Sequence, residues 1–325
     1  MQKILVVLRI AAVLLLTLPG WSHASDICDR ACLEGHVDQY LAAMIAHEPG
    51  QLRLAQNVHF TENGQELRLG DGLWATASGP GKYKLYVADT RSGQIGFYGT
   101  VFENGTPILL ALRLKVDEQL ITEIETIVAR PQSGSSFPGA GAALEDRGRP
   151  RPQFSQTVPD SERMSREGLI GVANSYFTGL ANNTGHNTAA FAETCERLEN
   201  GTQTTHNPKI GMDRNGFRVL ALGCEEQQKS GFYSFVTSIR NRRFPIVDEE
   251  RGLVMGFAFF EHSGAVRTIT LTSGQTFPAP YGSPLTFEIS ELFQVKIGKI
   301  DQIEAVLNTV PYGMTSDVWD KEGCR

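Results

Sequence analysis

The pattern of apolar and polar positions predicts two segments that are built in the same order. Each begins with an amphipathic helix, continues through strand-like residues to a Glu-Asn-Gly triplet and then to an apolar run ending in Phe-Glu, and closes with two long alternating strands. The four blocks lie at residues 37–48, 58–64, 89–103 and 108–130, and again at 172–183, 195–201, 248–261 and 286–310. Because the blocks recur in one order, the sequence indicates a duplication.

The Asn-Gly pairs predict tight hairpin turns. They occur at Asn63-Gly64, Asn104-Gly105 and Asn200-Gly201, each flanked by strand-like residues. Asn and Gly accept the positive φ angles of a type I′ turn, which makes this pair a strong hairpin signal. Long neighbouring strands with period-two alternation pair antiparallel and bury one face. With a helix packed on that face, each segment is predicted to be an α+β domain with a curved antiparallel sheet.

The composition along the chain places the domain boundaries. Residues 131–162 are rich in Pro, Gly, Ser and charge and have little hydrophobic periodicity, which predicts a linker. The first domain is therefore assigned to residues 25–130 and the second to residues 163–325. No later segment is long and apolar enough to span a bilayer.

The first 24 residues have the pattern of a secretory signal peptide. Lys3 and Arg9 provide positive charge, Ile10–Leu18 is an apolar run, and Ser22-His23-Ala24 offers small residues for cleavage after Ala24. We expect an exported protein, periplasmic or secreted; an uncleaved N-terminal anchor is the alternative. The formal charge of −6 and the lack of a basic stripe argue against a nucleic-acid partner.

The five cysteines are expected to form disulfides after export. Cys195 and Cys224 are the favoured pair, since both lie in the second segment. Cys28 and Cys32 are one helical turn apart and would bridge only with some distortion, so Cys324 is an alternative partner for one of them. The chain lacks the C-x-x-C and H-x-x-x-H spacings of common metal sites, and we expect no metal.

These blocks resemble the SnoaL-like branch of the nuclear transport factor 2-like superfamily over residues 30–130 and 165–312. The resemblance rests on the opening helices with Tyr40 and Tyr176, on the strand-and-turn stretches, and above all on the closing LRLKVDEQLITEIETIVA and LFQVKIGKIDQIEAVL. It implies cone-shaped domains, each a curved sheet wrapped around helices with a pocket inside. Members often dimerise through their sheets, so we expect either an intrachain pseudo-dimer or a homodimer. Enzymes of this kind include isomerases, dehydratases and lyases that mostly use no cofactor, whereas other members only bind ligands.

Cofactor-free proton transfer needs ionisable side chains that face an apolar pocket. In the first segment His59 is a candidate acid or base if it faces Tyr40, with Trp74 as a substrate-stacking wall; a solvent-facing histidine and an ordinary core tryptophan are the alternatives. In the second segment Glu196 and Arg197 stand where the first has His59 and Phe60. This divergence favours the second segment as the active copy.

The candidate site residues of the second segment have distinct expected roles. Arg197 suits a substrate carboxylate or hydroxyl group, because its planar guanidinium donates several hydrogen bonds. Glu199 and His206 are the candidate bases, and Tyr176 and Tyr233 are candidate substrate contacts. We therefore expect a cofactor-independent lyase, dehydratase or isomerase that acts on a small aromatic or sugar-derived molecule. The alternatives are a secreted binding protein or an assembly factor without catalysis.

Overall fold

The computed structural model describes residues 28–131, 139–186, 188–210 and 217–320. Its first half contains a long helix, a short helix and six strands. In chain order these are α1 (Arg30–Ile45), β1 (Leu54–Glu62), β2 (Gln65–Glu66), α2 (Leu73–Thr76), β3 (Ala77–Asp89), β4 (Gln94–Glu103), β5 (Thr106–Asp117) and β6 (Leu120–Ala129). The strands form one sheet in the order β2-β1-β6-β5-β4-β3.

The second half repeats this arrangement after an intervening short helix. Its elements are α3 (Ala142–Arg147), α4 (Arg166–Leu180), β7 (Phe191–Glu199), β8 (Thr202–Gln203), α5 (Cys224–Lys229), β9 (Ser238–Asp248), β10 (Leu253–His262), β11 (Thr268–Thr270), β12 (Thr276–Pro278), β13 (Leu285–Lys296) and β14 (Lys299–Val310). The main sheet has the order β8-β7-β14-β13-β10-β9, and β11 pairs with β12 separately. Short 3-10 helices lie at Pro49–Gln51, Pro152–Ser155, Asp160–Glu162, Val219–Ala221 and Phe232–Phe235.

The α+β class and the paired halves agree with the prediction, but the sheets are mixed instead of antiparallel. β1 runs parallel to β6, and β7 runs parallel to β14, whereas the other neighbouring strands are antiparallel. The first long strand of each half joins the last one, and a parallel pair needs a long connection instead of a hairpin. Strand alternation along the chain carries no information about this distant partner.

Both long helices begin earlier than the sequence pattern predicted. The Asp29 side chain accepts a hydrogen bond from the Cys32 amide at the start of α1, and the Ser165 side chain accepts one from the Gly168 amide at the start of α4. These are N-caps, which satisfy amides that have no partner within the helix. Each helix then buries one face against its own sheet, with Tyr40 and Tyr176 both 1% exposed.

The predicted Asn-Gly turns are confirmed. Asn63, Asn104 and Asn200 have φ angles of 50°, 49° and 46°, and the glycines that follow them are also positive. The Asn63 side chain accepts the Val128 amide, and the Asn200 side chain accepts the Leu307 amide, so two of these turns bind the neighbouring long strand in the same way.

The faces of the two sheets that point away from the helices share a third apolar cluster. Tyr83, Tyr98 and Ile127 contribute from the first sheet, and Met255 and Leu292 from the second. The Tyr98 hydroxyl lies 2.8 Å from the Ser290 hydroxyl across this contact. The two halves are therefore joined sheet to sheet, with a helix on the outer side of each.

The segment predicted to be a linker also supplies buried residues. Of its described part, Leu144 and Phe154 are each 1% exposed and belong to the cluster between the sheets. The burial of these two apolar residues could not be predicted from the sequence, because the segment is mainly polar and neither residue belongs to a periodic apolar pattern. Among the described residues, no helix is long and apolar enough to cross a membrane. The predicted signal peptide lies outside those residues.

Candidate functional site

A pocket of about 360 Å³ opens in the second half between α4, β7 and the inner face of the sheet. This volume falls in the range of small-molecule sites. Most of its wall is apolar or aromatic, and its polar members lie on several separate elements. The lining residues are Tyr176, Leu180, Arg197, Glu199, Thr202, Thr204, Ile210, Val219, Leu220, Phe232, Tyr233, Phe235, Val236, Phe260, His262, Pro280, Tyr281, Phe287, Ile289 and Leu307.

Four of the residues predicted from sequence meet in this pocket: Tyr176, Arg197, Glu199 and Tyr233. Alternation along β7 points Arg197 and Glu199 toward the helix side, while Leu198 between them joins the cluster between the sheets. Tyr176 comes from the buried face of α4, and Tyr233 comes from a 3-10 turn. These four side chains therefore lie around one pocket, and their roles stay predictions.

The Arg197 guanidinium is buried, with 2% of the residue exposed, and is held from every side. Nε donates to Thr204 at 2.9 Å, and Nη1 donates to the Tyr176 hydroxyl at 3.1 Å. Nη2 donates both to the side-chain amide oxygen of Gln227 and to the Tyr233 hydroxyl, each at 2.6 Å. These bonds use four of the five N–H groups of the guanidinium, and they keep the buried cation charged and fix its orientation.

The charge of Arg197 is balanced by Glu199, whose carboxylate lies 3.5 Å from Nε. The Glu199 side chain is 21% exposed and lines the pocket, so it can reach a bound molecule. Burial opposes the charged form of Arg197, but Glu199 and the two tyrosines raise the pKa of the guanidinium. The pair therefore places a guanidinium group and a carboxyl group side by side at one cavity.

A disulfide connects the strand that carries Arg197 to the short helix α5. Cys195 on β7 is bonded to Cys224, the first residue of α5, as predicted. Three residues later, the side-chain amide N–H group of Gln227 donates to the backbone carbonyls of Thr204 and Val219. This directs the side-chain amide oxygen of Gln227 toward Arg197 and Tyr233. The bond thus ties α5 to the strand that carries Arg197.

Glu291 is a buried acid that sequence reasoning missed. It lies on β13, is 1% exposed, and has one carboxyl oxygen without a hydrogen-bond partner among the described residues. Burial raises the pKa of Glu291 to about 8, and nearby Glu199 adds to this rise, whereas Arg197 and a hydrogen bond with Tyr176 oppose it. Glu291 is therefore mostly protonated near neutral pH and stands behind Tyr176 instead of lining the pocket.

The sequence did contain a signal for Glu291. The inward positions of β13 are Phe287, Ile289, Glu291, Phe293 and Val295, so a single acid interrupts an apolar alternation. A carboxyl group in such a place must be neutral, paired or solvated. Glu288 lies three positions earlier in the same strand and therefore faces the opposite side of the sheet.

His262 is a polar residue that lines the pocket and that was not predicted as a site residue from the sequence. It ends β10, is 2% exposed, and packs against the rings of Phe235, Tyr281 and Phe287 at centroid distances of 5.7, 4.8 and 4.8 Å. Burial lowers the pKa of His262 to about 4, and the Phe260 carbonyl opposes the shift. Its Nδ1 atom has no hydrogen-bond partner within the described part of the chain.

Two predicted acid-base histidines lie elsewhere. His59 is exposed on the outer side of β1 and lies 3.0 Å from Glu66, since its neighbour Phe60 takes the inward position. His206 is exposed in a turn with a φ angle of 49° and does not line the pocket. The expectation that His59 faces Tyr40 is therefore wrong, and His206 is not part of the observed site.

Tyr40 and Trp74 belong to the core of the first half. The Trp74 indole donates to the Tyr40 hydroxyl at 2.8 Å, the rings meet edge to face, and each residue is 1% exposed. Their polar atoms satisfy each other, so the expectation that they contact a substrate is not supported.

The remaining cysteines settle the second pairing. Cys28 and Cys32 form a disulfide, with Cα atoms 5.2 Å apart, and Cys324 lies outside the described residues. The sulfur atoms and a ring nitrogen of His36 lie within 4.8 Å of one another, but the disulfide occupies both sulfurs. Two disulfides are compatible with an extracellular location.

Comparison with known proteins supplies one match. Residues 162–307 match the family described as a domain of unknown function (DUF8021), a range that begins just before α4 and ends within β14. The match therefore covers the half of the chain that contains the pocket. No curated protein matches the chain.

Proposed function

We propose that the second half is a cofactor-independent enzyme that moves a proton within a small, largely apolar organic molecule. One observation carries this proposal: Arg197, Glu199 and Tyr176 line the same apolar pocket, and Glu291, with its raised pKa, lies directly behind Tyr176. Two carboxyl groups with different environments are a recurring way to supply an acid and a base at one pH. The reaction class that fits is an isomerisation, dehydration or elimination beside a carbonyl group.

The residues divide the work as follows. Glu199, the carboxylate on the pocket wall, removes a proton from the carbon next to the substrate carbonyl. The Arg197 guanidinium and the Tyr176 hydroxyl stabilise the negative charge that develops on the carbonyl oxygen. Tyr176 can pass its proton to that oxygen and regain one from Glu291, which is protonated near neutral pH. Glu291 thus acts through Tyr176 and is a positioning and proton-storing residue.

The test begins with aromatic ketones selected by native mass spectrometry for binding to the full chain. Incubation in D₂O followed by NMR should show deuterium entering the position next to the carbonyl, or conversion of the compound. The Glu199→Gln variant should lose about a hundredfold or more in rate, the usual contribution of a general base, with binding retained. Glu196→Gln is the matched control, because Glu196 lies on the same strand and pairs with Arg151.

If no bound compound exchanges or reacts, or if Glu199→Gln keeps the wild-type rate, the enzymatic proposal fails. A non-catalytic binding protein is then the function to retain. One observation favours it independently: most N–H groups of Arg197 are already used by protein partners, as in a structural cation.

We also propose that the halves are two nuclear transport factor 2-like cones packed as an intrachain pseudo-dimer, in a protein exported through a cleaved signal peptide. The matching strand orders and the apolar cluster between the sheets support the first part. The disulfides are compatible with the second part. Mass spectrometry of the protein purified from its producing cells tests export, since cleavage after Ala24 leaves Ser25 as the first residue.

A further inference from the structure

The end of the pocket around His262 has features of a recognition site. The inner face of β10 runs from Gly256, which pairs with Glu291, through Ala258 and Phe260 to His262. The six steps along the strand from Gly256 to His262 correspond to about 20 Å. Because Arg197 and His262 both line the pocket, the cavity extends along this strand with a polar group toward each end.

The wall between these ends excludes strongly polar ligands. Ile289, Leu307, Phe260 and Phe287 form its sheet side, and Phe232 and Phe235 lie on the other side. A sugar would leave its hydroxyl groups without partners against these side chains, at a cost for each one. The shape and chemistry instead suit a molecule with an aromatic ring and an apolar chain.

His262 is the exception in the aromatic end. Three rings surround it, and its Nδ1 atom is buried without a partner in the described structure. A buried polar atom that lacks a hydrogen bond destabilises the protein, so its retention beside a cavity suggests that a bound molecule supplies the bond. At neutral pH the imidazole is uncharged, since burial lowers the pKa of His262 to about 4.

A hydroxyl group is the complement of this imidazole. A neutral histidine presents one N–H donor and one lone pair, and which nitrogen carries the proton varies with the tautomer. A hydroxyl group both donates and accepts, so it matches Nδ1 in either form. On an aromatic ring it would also place that ring among Phe235, Tyr281 and Phe287.

We propose that the pocket recognises a phenol, whose hydroxyl group hydrogen-bonds to His262 while the other end of the molecule reaches Arg197 and Tyr176. This inference rests on the small-molecule pocket of the proposed function, and not on its proton transfer. His262 is assigned as a specificity-determining residue.

The test uses two matched probe series: para-hydroxyphenyl alkyl ketones and the corresponding phenyl alkyl ketones, with the alkyl chain lengthened one methylene group at a time. Isothermal titration calorimetry on the full chain should show that the phenol binds about tenfold more tightly than its partner at the best chain length, as expected for one buried hydrogen bond. In His262→Phe, which keeps an aromatic ring in the cluster, the two series should bind equally. His262→Gln, which keeps a donor and an acceptor, should retain part of the preference.

Control variants separate this proposal from the enzymatic one. Glu199→Gln should lose turnover but keep the preference for the phenol, and His59→Phe, which changes an exposed histidine of the first half, should alter neither. Equal binding of the two series by the wild-type protein at every chain length would overturn the proposal. So would a preference that survives in His262→Phe, or a failure of all probes to bind.

Discussion

The two halves can be compared position by position through their strand registers. In each sheet, one row of inward side chains crosses the four central strands. In the first half the row is Glu62, Thr126, Leu112 and Phe97; in the second half it is Glu199, Ala305, Glu291 and Gly256. The strand arrangement is the same, but three of the four positions differ. The second half has smaller side chains at two of them, Ala305 and Gly256, and a carboxyl group, Glu291, at the third.

A neighbouring inward position also has an apolar residue in the first half and a polar residue in the second. Phe60 pairs with Ile124 in the first half, and Arg197 pairs with the corresponding Ile303 in the second. Tyr40 is hydrogen-bonded to Trp74, whereas Tyr176 is hydrogen-bonded to Arg197. At these positions the first interior is packed mainly by apolar side chains, whereas polar side chains of the second half line a pocket. The comparison teaches that two halves with the same strand order can differ in the polarity of their interiors, because a few inward positions carry different residues.

The largest expected effect concerns the buried cation. Arg197→Met should lower the free energy of unfolding by about 3–5 kcal/mol, because it leaves Glu199, Gln227 and two tyrosines without their partner. Phe60→Met, at the matching place in the first half, should cost less than about 1.5 kcal/mol, since it exchanges one apolar side chain for another. Urea denaturation followed by circular dichroism measures both. Equal losses would show that the two interiors do not differ in this way.

The next effect depends on pH. The folded-state pKa of Glu291 is about 8 and the reference value is 4.5, so between these values the folded protein binds more protons than the unfolded chain. Stability should therefore fall as the pH rises through this window. Glu291→Gln removes that loss. The free energy of unfolding of Glu291→Gln relative to the wild type should therefore increase by about 4 kcal/mol from about pH 4.5 to about pH 8.

Denaturation at a series of pH values measures the advantage of Glu291→Gln. Leu112→Gln is the matched control in the first half; it should destabilise the protein without adding a pH-dependent term in this window. A Glu291→Gln advantage that does not change with pH would mean that the carboxyl group is not held neutral by burial.

The smallest effect on the free energy of unfolding is expected for His59 and Glu196, which occupy the matching outward position of β1 and β7. His59→Gln and Glu196→Gln should each change the free energy of unfolding by less than about 1 kcal/mol. Both side chains are more than one third exposed, so water screens their ion pairs with Glu66 and Arg151. Thermal melting under one set of conditions compares them. A clearly larger loss of stability for His59→Gln than for Glu196→Gln would contradict the surface position of His59.

Local patterns in the sequence determined much of this protein. Period-two alternation identified the long strands, the Asn-Gly pairs identified three turns, and the repeated blocks identified the two halves. Even the site was partly visible, because Arg197 stands where the other copy has Phe60. These features depend on residues near one another in the chain or on a comparison of two aligned segments.

Only the tertiary structure decided the remainder. The parallel pairing of β1 with β6, the burial of Leu144 and Phe154, and the outward position of His59 depend on partners far away in sequence. Glu291 and His262 gain their altered pKa values from apolar side chains that other elements bring around them. The sequence by itself determined which residues share one face of a helix or strand. The tertiary structure determined which of these faces pack against each other. It also determined which polar groups are desolvated, because desolvation depends on residues that are distant in the sequence.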